Sequence, residues 1–177
     1  MRSFLIVLGL IVSWSSTVGA DAFGGWKYAA PPGFTKTESG DHVELMKITA
    51  PTFCQLALYA ARPSSQAAAA EAAFEWKNVI EKTFQATDVK RLGRGKSRSA
   101  VPYDATGAVV SANGSSFYGI LYVVAPSKIV SSVLLLSNSK DTITRGEPVA
   151  KAFLDSLTVD EVSARAPAAP ATAPPAG

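Results

Sequence analysis

Few side chains in this 177-residue chain have the reactivity to run a reaction. The sequence holds one histidine, His42, and one cysteine, Cys54. Nucleophilic catalysis needs a nucleophile, a base beside it and a third group to orient that base. Adjacent strands of a hairpin could bring His42, in the turn Gly40-Asp41-His42, toward Cys54, in the run Phe53-Cys54-Gln55-Leu56. A strand there turns the thiol into an apolar face, where a thiolate is disfavoured. Cys54 is therefore expected to act as a small buried hydrophobe. One histidine and one cysteine cannot build the common zinc sites. The acids are scattered, whereas calcium needs clustered oxygens, and Glu38 with Asp41 reads as a solvated pair in a turn. No catalytic residue, metal ligand or cofactor is expected.

Gly93-Arg94-Gly95-Lys96-Ser97 has the look of the end of a phosphate-binding loop. The full pattern needs a glycine five positions before the Gly-Lys-Ser, and Lys90 stands there. What remains is a cluster of five cations in nine residues: Lys90, Arg91, Arg94, Lys96 and Arg98. If the segment is a strand, Lys90, Arg94, Lys96 and Arg98 share one face. Such a face suits an anionic partner: lipid headgroups, an acidic polymer or an acidic protein patch. The plainer alternative is a solvated edge strand whose charges prevent sheet-to-sheet association.

Both ends of the chain separate from the part that folds. Arg2, the apolar run Phe4 to Val12 and the small-residue site Val18-Gly19-Ala20 read as a secretory signal, residues 1–20, cleaved before Asp21. That run is about half of the roughly 20 apolar residues a membrane span requires, and Val130 to Leu136 is strand-sized. The expectation is a protein that does not span a membrane and is periplasmic or secreted. Without Arg2 it carries 16 basic and 14 acidic side chains, too even a balance to indicate nucleic acid. Residues 161–177 are rich in alanine and proline and cannot pack a core, so a disordered tail is expected.

Between these ends, residues 21–160 are expected to form one domain. Trp26-Lys27-Tyr28 reads as a short strand stopped by Pro31-Pro32-Gly33. Strands follow over Val43 to Thr49 and Phe53 to Ala61, with Cys54, Leu56 and Leu58 on one face and Ala57 and Tyr59 on the other. A long alanine-rich helix is expected from Gln66 to Phe84. Its apolar stripe is Ala69, Ala72, Ala73, Trp76, Val79, Ile80 and Phe84, with Glu71 and Glu75 off the stripe. Strands over Val89–Arg98, Asp104–Ala112, Phe117–Ala125 and Ile129–Ser137 form a meander, with a hairpin at Asn113-Gly114. A second helix is placed at Pro148 to Leu157, with proline at its first turn. The order strands, helix, strands, helix indicates an α+β fold with an antiparallel β-sheet.

The opening Trp26-Lys27-Tyr28, the turn Pro31-Pro32-Gly33-Phe34, the Trp76 helix, the meander and the closing Phe153-Leu154-Asp155-Ser156-Leu157 resemble the PsbP/Mog1-like fold and its bacterial exported relatives of unknown function. The resemblance spans Trp26 to Val159. It implies an α-β-α sandwich and a binding role, as in extrinsic photosystem subunits, a partner of a small GTPase, envelope proteins and secretion chaperones. It carries no functional residue over to this chain. The functional expectation is an exported, non-enzymatic domain that binds an envelope protein or an anionic surface. The alternative is a pocket for a small ligand or lipid, with weak hydrolytic activity, between the sheet and the Trp76 helix.

Overall fold

The computed structural model describes residues 20–126 and 128–159. The expected signal segment before Ala20 and the expected tail, 161–177, lie outside the described residues. The chain begins with β1 (Asp21–Phe23), β2 (Trp26–Tyr28), β3 (Thr35–Ser39), β4 (His42–Thr49), β5 (Thr52–Tyr59) and β6 (Arg62–Pro63). Then come α1 (Ala68–Glu75), which runs on as a π-helical turn over Trp76–Glu81, and the strands β7 (Gln85–Lys96), β8 (Pro102–Ala112), β9 (Ser115–Val124) and β10 (Ile129–Ser137). The helix α2 (Lys140–Ser156) and β11 (Thr158–Val159) close it.

The large sheet runs β3-β4-β5-β10-β9-β8-β7, with β6 on the end of β10. All its pairs are antiparallel, so strict alternation decides which side chains meet which helix. Val43 and Leu45 on β4, Leu56 and Leu58 on β5, Val133 and Leu135 on β10 point to α2. Ala57, Leu134, Leu136, Leu121 and Val123 point to α1. The central strand β10 is buried along its whole length because helices cover both faces. A small sheet, β1-β2-β11, lies on the α2 side and brings Trp26 and Tyr28 into that layer. Tyr28 meets Phe153 edge-on at 5.6 Å between ring centroids. The α+β antiparallel architecture and the alternation through β5 are as the sequence indicates.

The two helices depart from expectation in instructive ways. In α1 the acids expected off the packed stripe are buried, with Glu71 5% and Glu75 6% exposed, while Ala73 is exposed and Phe74 is 54% exposed. The π-helical turn contributes to this, because its wider turn shifts the phase of the stripe between Ala72 and Ile80. The helix α2 begins eight residues before Pro148, at Lys140, capped by the Ser139 hydroxyl, which accepts from the Thr142 N–H. Pro148 sits inside it on the exposed side, where the Thr144 carbonyl that loses its helical donor is left to water. Gly146, another breaker by reputation, is there for proximity. A Cβ at that position would stand 3.1 Å from the Cys54 Sγ and 3.2 Å from a Leu135 methyl.

Candidate functional site

The cationic cluster lies on β7, the last strand of the sheet, so one side of its backbone has no strand partner in the sheet order. Two irregularities interrupt its pairing with β8, one between Thr87 and Lys90 and one between Arg91 and Gly93. Asp88 (φ 50°) and Gly93 (φ 120°) adopt positive φ there. Each bulge inserts a residue, and the expected single face of Lys90, Arg94, Lys96 and Arg98 is thereby broken. Lys90 stands opposite Gly107 on the side of α2. Arg91 and Arg94 instead share the side of α1, where both reach Asp104. Arg98 lies beyond the strand, in the turn that follows.

Asp104 is 2% exposed, and a buried carboxylate must be paired and hydrogen-bonded to be tolerated. Arg91 Nη2 donates to its Oδ2 at 2.5 Å, and Arg94 Nε lies 3.4 Å from the same oxygen. Arg98 faces Asp155 of α2, with its Nε 3.6 Å from Oδ2 and its backbone N–H donating to Oδ1. Lys90 and Lys96 form no ion pair among the described residues. Val89 (52% exposed), just before Lys90, and Leu92 (54% exposed), between Arg91 and Arg94, stand open to water. The Gly-Arg-Gly-Lys run is thus strand, with Gly93 serving a bulge. Gly95 leaves room for the Tyr103 ring, which a Cβ would meet at 2.4 Å. Spacing gave no warning of Asp104, because sequence distance hides a cross-strand partner.

His42 and Cys54 do not meet. They sit at opposite ends of the β4–β5 hairpin, where His42 pairs with Tyr59 and Cys54 with Lys47. Five residues at about 3.3 Å each separate the two pairs, and alternation puts the two side chains on opposite faces. His42 stacks on Tyr59, 5.2 Å between centroids, with Nδ1 2.9 Å from Asp41 Oδ1 and Nε2 3.2 Å from Glu44 Oε1. Partial burial of the imidazole works against its cation, but the hydrogen bonds to Asp41 and Glu44 outweigh this and raise its pKa. Burial raises the Cys54 thiol, against an opposing pull from Lys47. The thiol is therefore held protonated, as expected of a packing residue.

Beside α1 lies a polar cluster that the sequence did not announce. Arg62 Nη2 reaches Glu71 at 2.5 Å and Glu75 at 2.6 Å, and Ser132, on the buried face of β10, donates to Glu75 at 2.7 Å. The Ser64 hydroxyl donates to Glu71, and with Arg62 it holds that carboxyl below the usual range. The available signal was two acids four apart in one helix, with an arginine and a serine just upstream. The carboxylates of α1 are thus bonded to Arg62 of β6, Ser64 of the loop and Ser132 of β10, so the cluster clamps α1 to the sheet.

An apolar cavity of about 330 Å³ opens on the other face from the one expected, between α2 and the Cys54 end of the β4–β5 hairpin. Phe34, Phe53 and Val149 line it, with Lys47 and Arg145 also in its walls.

No protein-family model matches the chain, and no curated protein sequence does. Among solved structures it is similar to cyanobacterial PsbP (CyanoP) from Synechocystis sp. PCC 6803, at 12% identity and a TM-score of 0.51, covering 80% of this chain and 90% of that one. Two others superpose less well. LpqN, involved in cell envelope biogenesis of Mycobacterium tuberculosis, gives 15% identity and a TM-score of 0.49 over 76% of this chain and 82% of its own. A Bacteroides thetaiotaomicron protein gives 8% identity and 0.48, over 76% of this chain and 45% of its own. The likeness to CyanoP shows a PsbP-like fold, in agreement with the resemblance read from the sequence.

Proposed function

With a PsbP-like fold as the starting point, we propose that this is an exported, non-enzymatic binding domain of the cell envelope that docks an anionic partner on the edge strand β7. The observation carrying this reading is the composition of that edge. Of Lys90, Arg91, Arg94, Lys96 and Arg98, the arginines pair with two acids, Asp104 and Asp155, and β7 itself carries one more, Asp88, among the described residues. The edge therefore keeps an excess of positive charge, five cations against three acids, with Val89 and Leu92 open beside and between the cations. Charge of one sign around an apolar spot favours association with acidic surfaces and suppresses self-pairing of the edge. The signal before Asp21 supplies the route out of the cytoplasm, and no described helix is long and apolar enough to cross a membrane.

Lys90 and Lys96 are the residues to reverse, because Arg91 and Arg94 are held by Asp104. The mature chain should sediment with phosphatidylglycerol vesicles at low salt, or crosslink to an acidic protein of an envelope extract. Lys90→Glu/Lys96→Glu should lose that association while melting at the unchanged temperature. Retention of the same partner at the same salt sensitivity by the double variant would sink the assignment to β7.

A further inference from the structure

The cavity beneath α2 has no part in the β7 edge and is chemically distinct from it. We infer that it is a binding site for a small amphiphile bearing one carboxylate, such as a medium-chain fatty acid. Its size is the first argument. A volume of about 330 Å³ lies at the small end of ordinary ligand pockets, roughly 300–1,000 Å³, and suits a short hydrocarbon tail.

The walls and charges argue for the rest. Phe34, Val149 and the rings of Pro31 and Pro32 offer apolar surface, and Cys54 adds a protonated thiol that behaves as one more hydrophobe. No acid lines the cavity, whereas Lys47 and Arg145 both do, and neither forms an ion pair among the described residues. Lys47 lies near the turn after Pro32. Its Cε and Nζ run close over Gly33, where an added Cβ would be 3.9 Å from each. The charge of Lys47 is felt inside, since it pulls against the rise in the Cys54 pKa. Thr142 and Arg145 both reach the cavity from the N-terminal half of α2, so a hydroxyl and a guanidinium enter from one helix. The Thr142 hydroxyl in the wall is buried with no hydrogen-bond partner in the structure. An apolar enclosure whose charged groups are all cationic selects a ligand that is oily at one end and anionic at the other.

The test is a titration of the isotope-labelled chain with octanoate, followed by amide chemical shifts. Octanoate should produce saturable shifts at Phe53, Cys54, Arg145 and Gly146, and 1-octanol and octylamine should bind at least ten-fold more weakly. Lys47→Glu/Arg145→Glu should lose octanoate at least ten-fold. The milder Lys47→Gln/Arg145→Gln serves if the reversal fails to fold. Lys90→Glu/Lys96→Glu should bind octanoate as the wild type does, so the fate of this site is read separately from that of the β7 edge. Dioctanoyl-phosphatidylglycerol, used below micelle formation, separates a free acid from the acyl chain of a lipid and should not shift these amides. The inference falls if octanoate gives no saturable shift there, if octanol or the lipid matches it, or if neutralising both cations leaves its affinity unchanged.

Discussion

His42 carries two carboxylates, one on each ring nitrogen, and its titration is consequently tied to folding. Its folded pKa is raised, so the folded state holds the proton more tightly than the unfolded chain does. The stabilisation is complete below the unfolded value of about 6.5 and is lost as pH climbs through the higher folded value. The melting temperature of the wild type should therefore decline between pH 6 and 9 more than that of His42→Gln, and parallel curves would refute the linkage. Asp104 is the other residue with a clear consequence. Asp104→Ala removes the acceptor of Arg91 and Arg94, whose exposed guanidinium groups turn to water, and should cost about 0.5–1.5 kcal/mol in a denaturant titration. One of these two was legible in the sequence and one was not. Asp41 and Glu44 flank His42 in the chain, within reach of any strand that starts there. Asp104 meets its arginines only through a strand register that two bulges had already altered.

At the scale of elements, the strands were legible and the helices only partly so. Alternation through Cys54, Leu56 and Leu58 survives into the structure because a half-buried strand has no other way to place those side chains. The hairpin at Asn113-Gly114 forms with both residues at positive φ, the backbone their side chains tolerate. In α1, by contrast, alanine is so frequent that apolar periodicity has little contrast, and three polar groups, Arg62 of β6, Ser64 of the β6–α1 loop and Ser132 of β10, decide the face. Replacing Glu75 with alanine leaves buried Ser132 without its acceptor, while Arg62 keeps Glu71, and should cost about 1–3 kcal/mol. Ser132→Ala should cost less, and a double-mutant cycle should show their coupling. In α2, Gly146 and Pro148 masked a helix that tertiary contact sustains. Gly146→Val would force a side chain against Cys54 and Leu135 and should destabilise the protein by about 1–3 kcal/mol on thermal unfolding.

Across the described molecule, Trp26 and Trp76 lie on opposite faces of the sheet. Trp26 is 1% exposed within the α2 layer, whereas Trp76 is only half-buried beside α1. Truncating a fully buried tryptophan to alanine costs about 3–5 kcal/mol. Trp26→Ala should show that full loss and Trp76→Ala clearly less, in the same urea titration. The unequal burial has a counterpart in what fastens each helix. The buried face of α2 is aliphatic and aromatic, and its polar bonds to other described elements lie near its C-terminal end, at Asp155 and Ser156. By contrast, α1 adds to its apolar contact a buried clasp of two carboxylates on one guanidinium. Glu71 titrates below its usual range, so the clasp holds above the unfolded value of about 4.5 and slackens as acid drives pH down through the lower folded one. An acidified sample would then exchange the amide hydrogens of α1 before those of α2. One side of the sheet comes undone like a buckle, and the other stays sealed like wax.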